Sequence, residues 1–305
     1  MISYVLRAFC GVACVACAWG QRVTDFTTAL DRAKSSKSPI AVFIRGSDWN
    51  RPGEIAAKTW NDPRFLSGLG SGILLVDLDR KENPNDAEKE LLKLNEKGNP
   101  QVRSIPAIAL YDSEGRLIGL YSGSDEIARE GGIFAATKKL LQILRERDEF
   151  WRSAKGSSGV MKAGRLGQGL DRMDMGLGPK GIYQPIFDEM KKADPDDKSG
   201  YLGKYTFSAE SLLDITLDGA KKGEFAGLEE KFAKLDANPR LSARQRQLVE
   251  AARFALYQNW PDRKSLMKPT LEKMRDIDPK SQLGQAAENY LELMEVARRK
   301  GGAST

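Results

Sequence analysis

The sequence predicts an α/β domain, a central mixed sheet flanked by helices, followed by an all-α domain of helical repeats. Three observations carry this reading. Between residues 21 and 150, helix-period segments alternate with short apolar runs; beyond 150 no segment reads as a strand; and in that second region an Asp-Pro or Asn-Pro pair recurs, with Pro195, Pro239 and Pro279 standing 44 and 40 residues apart.

In the first region, Asp25, Phe26, Ala29, Leu30 and Ala33 fall on one helical face. Residues 39–44 form an apolar, β-branched run that suits a strand buried on both sides. A Gly- and Pro-bearing turn at 46–53 leads to a helix over 54–60, which ends near Asn61-Asp62-Pro63. A second buried strand is expected over 72–78 and a helix over 85–94. Strands at 106–111 and 117–121 are joined by Asp112-Ser113-Glu114-Gly115, a hairpin turn signal. A helix over 133–144 carries Ile133, Ala136, Leu140, Leu141 and Leu144 on one side. This order predicts a parallel strand pair joined through a crossover helix, plus an antiparallel hairpin.

The second region opens with a glycine-rich stretch, within which Val160, Ala163, Leu166, Leu170 and Met173 keep helical spacing over 159–173. Then Asp194-Pro195, Asn238-Pro239 and Asp278-Pro279 each follow a short helix and precede a longer one, and proline suits the first helical position after an Asx cap. The longer helices carry stripes such as Leu248, Ala252, Ala255 with Leu256, and Leu283, Ala287, Tyr290, Met294. Repeated helical pairs stack into a solenoid. The expected divisions are a 1–20 export signal, an α/β domain over 21–150, a glycine-rich connection with a helix over 151–181, and helical hairpins over 182–305.

Residues 1–20 combine one early positive charge with an uncharged apolar stretch over 8–18, too short to span a membrane, and small-residue cleavage sites at Ala16-Cys17-Ala18 and Ala18-Trp19-Gly20. An exported chain, periplasmic or secreted, is expected, with no transmembrane segment after cleavage. Lipid anchoring at Cys14 or Cys17 is the alternative, but Gly11 and Cys14 stand where Leu or Val is usual. All three cysteines lie in this segment and there is no histidine. A mature chain so formed has no thiol nucleophile, no Ser-His-Asp triad, no Cys/His zinc site and no histidine haem ligand. No cofactor and no metal are expected. The net charge of +6 is spread among 48 bases and 42 acids, which reads as a solvated surface rather than a nucleic-acid site.

The segment Ala41-Val42-Phe43-Ile44-Arg45-Gly46-Ser47-Asp48-Trp49-Asn50-Arg51-Pro52-Gly53 resembles the thioredoxin superfamily, and most closely exported bacterial thioredoxin-like proteins whose strand runs into Gly-Ser-Asp-Trp-Cys-x-x-Cys. Asn61-Asp62-Pro63-Arg64-Phe65 and Ile73-Leu74-Leu75-Val76-Asp77-Leu78-Asp79 are similar to the family's next helix and strand, Val102-Arg103-Ser104-Ile105-Pro106-Ala107-Ile108 to its cis-proline loop, and 115–123 to its last hairpin. The resemblance covers about residues 24–148. It places Asn50 and Gly53 where the catalytic cysteines stand, and Ile44 where many members have a buried acid. Thiolate attack is the obligatory step of disulfide exchange and an amide cannot replace it, so no catalytic residue and no dithiol chemistry are expected.

The same resemblance implies a peptide-binding groove at Trp49, Asn50, Pro52, Gly53, Ile105 and Pro106, where main-chain pairing before the proline needs no redox step. Trp49 and Pro106 can equally be packing residues. The expected partner is a protein or peptide of the cell envelope; an oxidoreductase of unrecognised chemistry and a self-associating structural role are the alternatives. Asp77 and Asp79 share a strand face without an evident acid partner, and 194–205 lacks the ligands of a calcium loop and reads as a cap and turn. The helical region resembles tetratricopeptide-type repeats, with a longer period, and that likeness implies a concave protein-binding surface; packing on the first domain would explain the same helices.

Overall fold

The computed structural model describes residues 21–70, 72–98, 100, 102–175 and 180–301. The 1–20 segment read as an export signal, with the three cysteines, lies outside the described residues. Two compact units emerge: the first runs to Lys155 and takes up Gln168–Ile186, and the second comprises Gly156–Gly167 and the described residues from Phe187 onward. Among the described residues no helix is long and apolar enough to cross a membrane.

The first unit contains β1 (Gln21–Val23), α1 (Phe26–Ser36), β2 (Ile40–Arg45), α2 (Arg51–Trp60), α3 (Pro63–Leu69), β3 (Leu74–Asp79), α4 (Asp86–Leu94), β4 (Ala107–Tyr111), β5 (Leu117–Ser122), α5 (Ser124–Arg129) and α6 (Ile133–Lys155). The sheet order is β1-β3-β2-β4-β5; β1 and β2 run parallel to β3, while β4 is antiparallel to both β2 and β5. The fold is thioredoxin-like, as the sequence predicts. The apolar run of β2 is unbroken because both sheet faces are covered. Ala41 and Phe43 enter one layer with Ala57 and Trp60 of α2, Phe65 of α3 and Ile133, Ala136 and Leu140 of α6. Ile40, Val42 and Ile44 enter the other with Phe26, Ala29 and Ala33 of α1. Asp25 starts α1 as its N-cap, accepting the Thr28 N–H at 2.8 Å. The hairpin turn closes through Gly115 N–H to Asp112 O at 3.0 Å, with Gly115 at a φ of 81° that favours glycine. The short β1 and α5 are elements that apolar periodicity did not predict.

The second region contains α7 (Gly159–Leu170), α8 (Gln184–Ala193), α9 (Tyr201–Thr206), α10 (Ala209–Lys222), α11 (Phe225–Asp236), α12 (Ala243–Gln258), α13 (Met267–Ile277) and α14 (Gln282–Gly301). Contrary to the expectation above, the Asx-Pro pairs do not open helices. They form turns, and the next helix begins a few residues later. The Asx side chain accepts main-chain N–H groups inside the turn: Asp194 from Lys198 (3.0 Å) and Ser199 (2.7 Å), Asn238 from Arg240 (2.9 Å), Asp278 from Lys280 (3.2 Å). The N-cap of α12 is instead Ser242, in a reciprocal capping box with Gln245. The expected stripes also shift. In α12 the buried apolar and aromatic residues are Val249, Ala252, Leu256 and Tyr257, beside buried Gln247, Glu250 and Arg253. In α14 they are Ala287 and Leu291, and Tyr290 is half exposed.

Candidate functional site

Between β2 and α2 the chain crosses from the carboxyl end of the central strand to a helix N-terminus, and Gly46 to Asn50 make that crossing. The loop is latched to the segment after β3. The Ser47 N–H reaches Asp79 at 2.8 Å, the Asp48 carboxylate accepts the Glu82 and Asn83 N–H groups at 3.0 and 3.2 Å, and the Trp49 indole N–H reaches Arg80 O at 2.8 Å. Burial works to raise the Asp48 pKa, but those main-chain donors outweigh it and hold the carboxyl below its ordinary value. Gly46 is required locally, because a Cβ there would stand 2.4 Å from Trp49 Nε1. The indole thus lies over bare backbone with its N–H satisfied, and 52% of the residue stays exposed.

Asn50 is the N-cap of α2. Its Oδ1 accepts the Gly53 N–H at 2.7 Å, and its Nδ2 donates to Ile105 O at 3.1 Å. One amide therefore caps a helix and ties it to a loop 55 residues away. Gly53 is packed tightly under this cap, and a Cβ there would lie 2.5 Å from Asn50 Oδ1 and 3.2 Å from Arg45 Cβ. The Ile105-Pro106 bond is cis, as the resemblance implies. Pro106 is buried, and its loop is pinned by Ser122, whose hydroxyl accepts from the Arg103 and Ser104 N–H groups at 3.1 and 3.0 Å and donates to Ser104 O at 2.8 Å. Among the described residues no acceptor meets the Ile105 N–H.

The six residues singled out in the sequence thus gather at two facing loops: Trp49, Asn50, Pro52 and Gly53 on one, Ile105 and Pro106 on the other. Trp49 is a surface residue rather than a packing one, whereas Pro106 packs. Sequence reasoning missed two features. Ile55 is 60% exposed on the outer side of α2, with Trp49 and Pro52 exposed before it. Its spacing of three from Pro52, out of step with the buried Gly53, Ala57 and Trp60, was the available signal. The second is the base of the site, where Arg45 pairs with Asp77 at 3.1 Å and Asp79 at 3.4 Å. Burial pushes the Asp77 carboxyl above its ordinary pKa, against the pull of Arg45. Ile44, at the position of the family's acid, is fully buried among apolar side chains such as Val42, Leu78 and Ala107.

No family model matches the chain. No curated protein matches it either. Among solved structures, a chain described as DsbH oxidoreductase is similar at 17% identity and a TM-score of 0.29, over 47% of this chain and 95% of that one.

Proposed function

We propose that this chain is an exported, non-catalytic thioredoxin-fold protein that binds extended polypeptide across the Trp49–Ile55 and Ile105 loops. The observation that carries the reading is the state of Trp49. Its indole N–H is satisfied within the chain, so its exposed ring can bury against a ligand without stranding a polar group. Pro52 and Ile55 extend the apolar surface along α2, and the Ile105 N–H offers a main-chain donor. The Ile105 carbonyl is already engaged by Asn50, so pairing is expected through the N–H. With an amide at 50 and a glycine at 53, neither position of this loop can supply the thiolate that exchange requires.

The test uses an unfolded probe, reduced and carboxymethylated lactalbumin, titrated into isotope-labelled protein lacking residues 1–20. Shifts should concentrate at the Trp49 indole and Ile105 amide signals. Trp49→Ala should weaken binding at least about ten-fold, in the range of an aromatic hot spot. Shifts spread evenly over the surface, or an unaffected variant, would remove the binding half of the proposal. Insulin reduction should not exceed buffer; turnover would remove the non-catalytic half. Export is tested separately by mass spectrometry of the protein recovered from its native cells, which should begin at Trp19 or Gln21.

A further inference from the structure

We infer that a cleft in the second unit binds a single-chain anionic amphiphile, an alkyl carboxylate. The cleft has a volume of about 840 Å³, within the usual range of small-molecule sites. Its walls come from α10, α11 and the Asx-Pro turns at 195–200 and 237–239. Leu228 and Phe232 are buried at its base, Leu212 and Leu235 are half-buried, and Ile215 is 48% exposed. The two turns are bound to one another. Asn238 Nδ2 donates to Gly200 O at 3.0 Å, and Arg240 Nε donates to Ser199 O at 2.6 Å. These bonds fix that wall, so a ligand need not spend affinity on ordering it.

The polar side chains of the lining decide what kind of body fits. The Thr216 hydroxyl donates to Leu212 O at 2.6 Å, and the Asn238 Oδ1 accepts the Arg240 N–H at 2.9 Å. The Asp197 carboxylate accepts the Leu202 and Gly203 N–H groups at 3.0 and 2.7 Å. An extended peptide would bring main-chain donors and acceptors to side chains already engaged, whereas an alkyl chain brings none. The charges select the head group. Lys198, Lys231 and Lys234 stand exposed on the lining. Lys231 has no hydrogen bond or ion pair among the described residues. Lys198 meets Asp196 at 3.8 Å and Lys234 meets Glu230 at 2.9 Å, exposed contacts of the weak kind that a ligand anion can displace. Against the three ammonium groups stand Asp196, tied to Lys198, and Asp197, tied to main-chain N–H groups. An apolar chain in the cleft therefore carries its head into a cationic rim.

The test titrates isotope-labelled protein lacking residues 1–20 with dodecanoate, decanoate and dodecyltrimethylammonium, each below its micelle concentration. Dodecanoate should give saturable shifts centred on the methyl signals of Ile215, Leu228 and Leu235. Decanoate, two methylenes shorter, should bind about 10-fold more weakly. The ammonium amphiphile should bind at least about 10-fold more weakly than dodecanoate. Lys231→Glu should weaken dodecanoate by about 3- to 10-fold. Ile215→Asp should abolish the saturable shifts, and far-ultraviolet circular dichroism of both variants should match the parent because both side chains are exposed. Shifts that do not saturate, equal affinity for the two head groups, or an Ile215→Asp variant that still binds would each overturn the inference. Shifts of the same methyls by reduced and carboxymethylated lactalbumin alone would assign the cleft to polypeptide and overturn the choice of occupant.

Discussion

The two units handle charge next to their cores in different ways. In the first, Arg45 bridges Asp77 and Asp79 at the open end of the sheet, and all three side chains keep some contact with water. In the second, Arg253 on α12 binds Glu250 at 2.7 Å, Asp236 at 2.8 Å and Glu229 at 3.1 Å, while Lys273 on α13 binds Glu250 at 2.6 Å and Asp236 at 2.9 Å. That network ties α11, α12 and α13 together, and Glu250 and Arg253 are buried. A sheet covered on both faces satisfies its backbone and stacks its side chains in two apolar layers, so charge is left to its ends. A central helix touched on several sides divides its contacts: in α12, Val249, Ala252 and Leu256 join an apolar cluster, while buried Glu250 and Arg253 meet the other neighbours through linked charges. The first arrangement leaves a surface free to serve a ligand; the second is spent on holding helices in register.

The largest expected effect follows from breaking the second network. Arg253→Ala leaves buried Glu250 with Lys273 alone and takes one partner each from Asp236 and Glu229, which costs about 3 kcal/mol. Arg45→Ala leaves Asp77 and Asp79 within reach of water and should cost about 1–3 kcal/mol. Hydrogen exchange read separately on peptides of each unit distinguishes them. The Arg253 variant should open α11–α13 while the sheet stays protected, and the Arg45 variant should loosen only the start of α2. Equal effects in both units would mean that the difference in burial does not govern the energetics.

A second comparison lies inside the first unit. Replacing glycine by alanine within a helix ordinarily stabilises it, by about 1 kcal/mol. At Gly53 the sign should reverse. The added Cβ would stand 2.5 Å from the Asn50 oxygen that caps α2, so the cap and the Ile105 bridge must yield. Gly53→Ala should therefore cost about 1 kcal/mol, close to the loss from Asn50→Ala itself. In an Asn50→Ala background the main obstruction is gone, and Gly53→Ala should become neutral or favourable. Chemical unfolding of the four proteins measures this coupling. Additive effects would show that the amide does not set the spacing between the two loops.

What the sequence made legible follows the range of the interactions concerned. Strands β2 to β5 announce themselves by short apolar runs bounded by turn signals, because both sheet faces impose the same demand on every residue. Strand β1 has three residues with only Val23 buried, and periodicity cannot register so short a piece. The Asx-Pro pairs were misassigned for a chemical reason: proline favours both the first turn of a helix and the second position of a β-turn, and an Asx side chain serves either. At the site, family resemblance located Trp49, Asn50, Pro52, Gly53, Ile105 and Pro106. It could not reveal that the Asn50 amide joins the two loops, since that bond links residues far apart in the chain and depends on a side-chain rotamer. The buried stripe of Gln247, Glu250 and Arg253 was invisible for a similar reason, because polar residues at helical spacing normally signal an exposed face.

The smallest expected effect is a difference of sign with pH. Burial works to raise the Asp236 pKa, but Lys273 and Arg253 outweigh it and hold the carboxyl below its ordinary 3.8. Its stabilising contribution is complete above 3.8 and is lost as pH falls through the lower folded value. For Asp77 burial prevails over Arg45, and the folded pKa lies above 3.8. Its contribution is present below 3.8 and is lost as pH rises through the higher folded value. Asp77→Asn and Asp236→Asn remove these titrations one at a time. Urea unfolding from about pH 3 to about pH 6 should show Asp77→Asn gaining on the parent as pH rises, and Asp236→Asn falling further behind it. If both variants drift in the same direction, the two carboxyls share one environment, and the contrast drawn between the open cluster and the buried network fails.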